Sequence, residues 1–145
     1  MSKSDAFEAA LLDLIFLNTD IANIGDAAGL QNSAVAGSLY VALHTADPGE
    51  SGAQNTSEIS YTGYARVAVA RSGAGFTVST NTVSLVSNVT FPAGTGGSGT
   101  ATHWGLGASS SGAGVLLYKG SISPSIVCGS GVTPQLTAGT VVTED

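Results

Sequence analysis

Residues 38–71 read SLYVALHTADPGESGAQNTSEISYTGYARVAVAR, and the rest of the chain is interpreted around them. Large apolar residues alternate at Leu39, Val41 and Leu43, which is the spacing of a strand with one buried face. Pro48-Gly49 ends this run, and residues 61–71 alternate again. The stretch therefore predicts a strand, a long loop and a second strand.

The loop from Asp47 to Ser60 contains few apolar groups and several turn formers. Long loops in compact domains tend to be functional or mobile, so we expect this loop to contact a partner. Its acids Asp47, Glu50 and Glu58 are the candidate interface residues. Arg66, predicted inside the second strand, is a further candidate; the alternative is that its guanidinium reaches solvent or an acid of the N-terminal arm.

An amphipathic helix is predicted ahead of this stretch. Asp5 followed by Glu8 resembles a helix start, and apolar residues recur with helical spacing from Phe7 onward. A helix this short and this apolar needs a surface to lie on, either the β body or another subunit. Leu11 and Ile15 on this helix are therefore candidate interface residues.

The remainder of the chain is predicted to be strands. Valine, leucine and phenylalanine alternate with serine and threonine, and turn signals recur at intervals of about 8 to 12 residues. This pattern indicates a mainly β fold, an antiparallel β-sandwich, with a jelly roll as one form of it. At 145 residues we expect a single domain, 1–145, with a helical arm and loop at 1–37 and a β-sandwich body at 38–145.

Charge narrows the choice of partners. The chain has four Lys and Arg against ten Asp and Glu, and charged residues make up only 10% of it. Because so few, dispersed cations cannot follow a phosphate backbone, we expect no nucleic-acid binding.

There is neither a membrane-spanning apolar run nor a secretory signal pattern, so we also expect no membrane partner and folding in a cytoplasm. The single cysteine, Cys128, is interpreted as a small buried apolar residue.

Chemical signatures are weak throughout. Residues 94–99 match G-x-G-x-x-G, but the following residues alternate like a strand, whereas a dinucleotide site needs a helix there. His44 and His103 would suggest a metal site only if the fold brought them together near acids such as Asp47 or Glu50. We therefore expect no enzyme activity, no catalytic, cofactor-binding or metal-binding residues, and no cofactor.

Two motifs together carry a family resemblance. The chain resembles small virion structural proteins of tailed bacteriophages, which are often labelled tail-fibre or structural proteins. The resemblance lies in the segment Leu39–Gly49 followed by Tyr61–Val69, and also in Phe91-Pro92-Ala93, Thr102–Gly105 and the Val-Thr-Glu-Asp ending. The resemblance covers the whole chain. It implies a non-enzymatic component of the virion, present in several copies and assembled in the bacterial host cytoplasm.

Three functional hypotheses are kept open. The leading hypothesis is a capsid decoration or cement protein that stabilises the shell, since the chain is a compact single β domain without a fibrous repeat and has an amphipathic arm available for subunit contacts. The alternative is a tail, collar, baseplate or fibre-associated structural protein, and a distant third is a cell-envelope hydrolase. The expected partners are the chain itself, as a dimer or trimer, and other virion proteins such as the major capsid protein.

Overall fold

The computed structural model describes residues 2–144, which form one helix and nine strands. The predicted class is confirmed: the chain is mainly β, its sheets are antiparallel, and its helix is N-terminal. The elements are α1 (Asp5–Leu17), β1 (Ser38–His44), β2 (Val67–Ala70), β3 (Phe76–Ser79), β4 (Thr82–Leu85), β5 (Val89–Thr90), β6 (Ser98–Gly107), β7 (Leu116–Gly129), β8 (Gln135–Leu136) and β9 (Val141–Thr143).

These strands form three sheets. A four-stranded sheet has the order β2-β1-β6-β7, a three-stranded sheet the order β3-β4-β9, and β5 pairs with β8. In the largest sheet β1 and β6 are antiparallel, with Leu43 opposite Trp104 and His44 opposite His103. The arrangement of the sheets as a sandwich or jelly roll stays a prediction.

The chain divides into two compact units, each made of separate segments. The first unit contains residues 2–38, Ala70–Ser87 and residues 137–144, and therefore holds α1 and the three-stranded sheet. The second unit contains Leu39–Val69 and Asn88–Leu136, with the four-stranded sheet and the β5–β8 pair. The single-domain organisation predicted from the sequence stays a prediction.

Helix α1 follows the sequence pattern closely. It begins at Asp5, as predicted, and ends at Leu17, where Asn18 adopts a left-handed conformation with φ 57°. Leu12 and Phe16 are fully buried, and the ring of Phe16 meets Phe76 edge-to-face at 4.9 Å between centroids. Aromatic pairs in this geometry add to the stabilisation from burial alone. Packing inside the first unit therefore stabilises a helix too short to be stable alone.

The core of the second unit is built around aromatic rings. Tyr61, Phe91 and Leu106 are almost completely buried. Tyr64 stacks on Phe91 at 6.2 Å and meets Tyr61 edge-to-face at 5.4 Å. Cys128 is a buried free thiol in this core, in agreement with its interpretation as an apolar residue.

Two strand boundaries differ from the sequence prediction. Residues 61–66 do not extend β2, because a turn closes there: the Tyr64 amide donates to the Tyr61 carbonyl, and Gly63 has φ 96°. Arg66 therefore precedes β2 and does not lie inside it. The two strands predicted across residues 115–127 form one long β7, interrupted by an insertion of four residues, 122–125, opposite the single residue Thr102.

The last predicted strand is divided in two. The Thr140 amide donates to the Thr137 carbonyl and turns the chain between β8 and β9, so that β8 pairs with β5 and β9 with β4. The glycine-rich segment 94–99 runs directly into β6, so the helix that a dinucleotide site requires does not follow it. Among residues 2–144 no helix has the length and apolarity needed to cross a membrane.

Candidate interaction surfaces

The loop predicted as a contact surface folds back along β1. The Thr45 amide donates to the Ser57 carbonyl at 2.8 Å, and the Ile59 amide donates to the Leu43 carbonyl at 2.9 Å. Pro48, Gln54 and Ile59 are buried, whereas Asp47, Glu50 and Ser57 are exposed. The loop is therefore exposed at its tip, as predicted, but fixed at several points to the second unit.

Arg66 makes the strongest of these attachments. Its Nε and Nη2 donate to the two carboxylate oxygens of Glu58, each at 2.7 Å. Its Nη1 donates to the Ser109 carbonyl at 2.8 Å, and Nη2 also donates to the Gly112 carbonyl at 2.7 Å. The forked guanidinium matches a carboxylate in a way that lysine cannot, and the Glu58 carboxylate raises the pKa of Arg66. Arg66 thus joins the loop of residues 47–60 to the loop of residues 108–115.

Tyr64 completes this network of Arg66, Glu58 and Tyr64, which we call the Arg66 network. Its hydroxyl donates to Glu58 Oε1 at 2.8 Å and accepts from the Leu43 amide at 3.1 Å. Burial, together with the negative charge of Glu58, raises the pKa of Tyr64 far above its usual value. The hydroxyl therefore stays protonated and fixes the Glu58 carboxylate against β1.

Gln54 forms a second junction between the same two loops. Its side chain is fully buried, with Nε2 donating to the Tyr40 carbonyl at 3.1 Å and Oε1 accepting from the Ser109 amide at 3.1 Å. Its own amide donates to the Gly114 carbonyl at 2.9 Å. Gly107 and Gly114 make room for it, because a Cβ at either position would lie within about 2.6 Å of the glutamine side chain.

His44 holds the loop from the strand side. Its ring is completely buried, and Nδ1 donates to the Thr56 carbonyl at 2.8 Å. Its Nε2 is buried without a hydrogen-bond partner among residues 2–144. Burial lowers the pKa of His44, so the neutral ring protonated on Nδ1 is the favoured form.

The exposed tip of the loop contacts β7. Lys119 Nζ lies 3.0 Å from Asp47 Oδ1 and 3.1 Å from Glu50 Oε1. The pKa of the Asp47 carboxyl lies below its usual value, mainly because the Gly49 amide donates a hydrogen bond to it and secondly because Lys119 does so. Because these groups face water, the ion pairs orient the loop tip more than they stabilise the fold.

The predicted interface residues thus fall into three groups. The structure brings Glu58 and Arg66 together in the Arg66 network, and it brings Asp47 and Glu50 together beside Lys119. Leu11 and Ile15 are half-buried on α1, next to the exposed Phe7. A role for any of these residues in an intermolecular interface stays a prediction.

Sequence reasoning missed Gln54, Tyr64 and Lys119 as members of these clusters. Gln54 sits in a polar loop with nothing in its neighbourhood to distinguish it from a solvated residue. A weak signal existed for Tyr64, since a tyrosine two residues before an arginine on a predicted strand would share its face. Lys119 had no usable signal, because its partners are about 70 residues away along the chain.

The two histidines do lie opposite one another, at paired positions on β1 and β6. However, His44 uses Nδ1 for the Thr56 carbonyl, and His103 Nδ1 lies 3.0 Å from the hydroxyl of Thr102. No group of three or more His, Cys, Asp or Glu suited to a metal ion occurs in the part of the chain that the structure describes.

The second unit therefore uses its buried charged and polar groups to join loops to a sheet. A protein family described as Podophage GP4 fiber I protein gp80 matches residues 2–144, and the chain belongs to this family. No curated protein matches the chain.

Membership in this family confirms the resemblance to virion structural proteins of tailed phages. It supports a non-enzymatic structural role as part of the virion. It also favours the alternative hypothesis, a fibre-associated protein, over the leading hypothesis of capsid decoration.

Proposed function

We propose that this chain is a fibre-associated structural protein of a podophage virion. The match of the fibre family over residues 2–144 is the observation that carries this proposal. The leading capsid-decoration hypothesis rested on a compact single β domain, the absence of a fibrous repeat and an amphipathic arm available for subunit contacts. None of these properties distinguishes a shell protein from a compact module attached to a fibre.

The second unit supports a mechanical role. The Arg66 network and Gln54 join two loops that lie about 40 to 60 residues apart in sequence, through contacts that are largely buried. Such contacts resist local opening, because breaking one leaves buried polar groups unpaired. A module that transmits force along a fibre benefits from this resistance.

The proposal is tested by locating and counting the chain in purified virions. Quantitative mass spectrometry against the major capsid protein should give few copies per particle, in a multiple that matches the symmetry of a tail or fibre assembly. Gold-labelled antibody against the chain should mark the tail region in electron micrographs. Hundreds of copies spread over the capsid would overturn the proposal and restore the decoration hypothesis.

A further inference from the structure

The imidazole of His44 holds a buried nitrogen that nothing in the second unit satisfies. Among residues 2–144, its Nε2 is the single buried side-chain nitrogen or oxygen without a hydrogen-bond partner. A Cβ added to Gly105 would lie 2.5 Å from His44 Nε2 and 2.9 Å from Leu116 Cδ1, so Nε2 lies over a glycine and beside an apolar side chain. A proton added to Nε2 would find no acceptor there, and a buried cation without partners is costly.

The charges around His44 do not supply a counter-ion. The charged and titratable groups that surround it are Glu58 from the loop of residues 47–60, Tyr64 and Arg66 from the segment before β2, His103 from β6 and Lys119 from β7. Glu58 is the one acid of this set, and Arg66 already binds both of its carboxylate oxygens. The positive charge of Arg66 and that of a protonated His103 oppose a second cation at His44.

The part of the loop that contacts His44 is bounded by two residues with positive φ. Gly49 has φ 75° and Ser57 has φ 53°, and we call residues 49–57 the flap. A left-handed conformation is uncommon for a residue other than glycine, which marks Ser57 as a place where the backbone has a more favourable conformation to adopt. Beyond Ser57 the chain is fixed again, because the Ile59 amide donates to the Leu43 carbonyl.

The flap is folded on itself between these two ends. The Gly52 amide donates to the Gly49 carbonyl and the Thr56 amide to the Ala53 carbonyl. The flap is bonded to the rest of the second unit through Gln54, through the Thr56 carbonyl and through the exposed ion pair of Glu50 with Lys119. On the other side of His44, by contrast, β1 and β6 are paired continuously from Tyr40 to His44. The flap is therefore the neighbour of His44 that moves with the smaller loss of structure.

From these observations we propose that protonation of His44 opens the flap. The flap turns away about Gly49 and Ser57, the bond from His44 Nδ1 to the Thr56 carbonyl breaks, and water becomes the acceptor for Nε2, while β1 and β6 stay paired. This is a local, acid-triggered change within one chain, so it does not depend on the assignment to a fibre.

The direction of the change with pH follows from burial. The pKa of His44 lies below its ordinary value while the flap is closed, and it returns to about 6.5 when the ring reaches water. A closed flap is thus favoured above pH 6.5, and the open form gains up to about tenfold in population for each pH unit below it, until the lower pKa of the closed form is reached.

Hydrogen exchange of the purified chain, resolved by residue with NMR at pH 7 and pH 5 and corrected for the intrinsic exchange rate, tests the proposal. The Gln54 amide, which donates to the Gly114 carbonyl, reports on the flap, and the amides of β6 report on the sheet. Protection of Gln54 should fall about tenfold between pH 7 and pH 5, and protection of β6 should not change. Equal protection of Gln54 at the two pH values, or an equal loss in β6, would overturn the proposal.

Leu116→Glu tests the cause of the opening. Its carboxylate would lie beside Nε2 and supply both the acceptor and the counter-ion that the protonated ring lacks, so Gln54 should stay protected at pH 5. The matched control is Leu117→Glu, which adds the same charge at the next, exposed position and should open like the unaltered chain. If Leu116→Glu opens to the same extent as Leu117→Glu, the missing partner of Nε2 is not the cause and the proposal fails.

Two further variants identify the titrating group. His44→Asn should keep equal protection of Gln54 at both pH values, whereas His103→Asn should lose protection at pH 5 as the unaltered chain does. A loss of protection in His44→Asn would assign the opening to another group and overturn the proposal. If His44→Asn does not fold, the comparison of Leu116→Glu with Leu117→Glu decides the question.

Discussion

At the level of single residues, Arg66 donates four hydrogen bonds from a side chain that is only 2% exposed. Its partner Glu58 belongs to one loop and its two carbonyl partners to another. The guanidinium therefore acts as a common attachment point for both loops, and its removal should affect both of them together.

Replacing Arg66 with methionine should destabilise the protein by about 3 kcal/mol, because the half-buried Glu58 carboxylate would lose the buried cation that it pairs with. Urea unfolding measures this change. Arg66→Lys should recover only part of it, since an ammonium group lacks the planar fork with which the guanidinium bonds the carboxylate and both carbonyls at once.

The matched control for Arg66 is Lys119, whose ion pairs with Asp47 and Glu50 are exposed. Lys119→Met should leave the urea midpoint almost unchanged. If the two methionine variants unfold at the same urea concentration, burial of the Arg66 network contributes nothing and this account of the loop attachment is wrong.

His44 makes stability depend on pH. Because burial lowers its pKa, the neutral ring is favoured in the folded state. The contribution of His44 to the free energy of unfolding is complete above the unfolded-state pKa of about 6.5. It is lost as the pH falls through the lower pKa of the folded state. The charged or titratable groups around it are Glu58, which opposes the shift, and Arg66 and His103, which reinforce it.

His44→Asn should therefore flatten the fall in melting temperature between about pH 7 and pH 5, since an asparagine amide can still donate to the Thr56 carbonyl but does not titrate in this range. His103→Asn serves as the control, and its melting temperature should still fall between these pH values nearly as much as that of the unaltered chain. Identical pH profiles for the unaltered chain and His44→Asn would show that some other group is responsible.

At the level of elements, α1 is fixed at its C-terminal end by Arg71. The guanidinium donates to the carbonyls of Leu14 and Ile15, each at 2.6 Å, and to the Ser33 hydroxyl and the Ala36 carbonyl. The last carbonyls of a helix lack partners within it, and a cation there also interacts favourably with the helix dipole. Arg71 thus connects α1 to the segment that follows it.

Arg71→Ala should destabilise the first unit by about 2 kcal/mol, with α1 losing protection first. Hydrogen exchange measured by mass spectrometry should show faster exchange in residues 8–17 and little change in β6 and β7. Uniform loss of protection across the chain would instead mean that the two units unfold together.

The helix and the β3–β4 hairpin were predictable because their signals are local. Asp5, Glu8 and the apolar spacing mark the helix, and Thr80-Asn81 marks the turn, where Thr80 has φ 52°. The strand predicted over residues 61–71 was too long, because a glycine-assisted turn at Gly63 overrides the alternating pattern. Alternation records which residues are suited to a strand but cannot show where a competing turn closes.

At the level of the whole molecule, self-association is the property that the sequence predicts and that stays a prediction. Among residues 2–144 the largest sheet ends at β7, and the outer edge of this strand has no neighbouring strand in that sheet. Leu117 and Val127 are exposed on β7, while Pro124, which has no amide hydrogen, lies in the four-residue insertion. The insertion limits edge pairing to the flanking parts of the strand.

We expect a dimer or trimer in sedimentation experiments, with Val127→Lys shifting the population to monomer and leaving the β circular dichroism intact. Val35→Lys is the control, since Val35 is also strongly exposed but lies outside the sheets. A monomer at every concentration would contradict the prediction for the free chain.

The sequence by itself determined the mainly antiparallel β class, the position of α1, the uneven distribution of acids and the resemblance to phage structural proteins. These properties depend on composition, on short-range periodicity and on motifs that can be read along the chain. Only the tertiary structure decided that Arg66 holds the loop of residues 108–115 through carbonyls 43 and 46 residues further along, and that Gln54 is buried against the same loop. Such contacts depend on strand order and register, which local spacing does not encode.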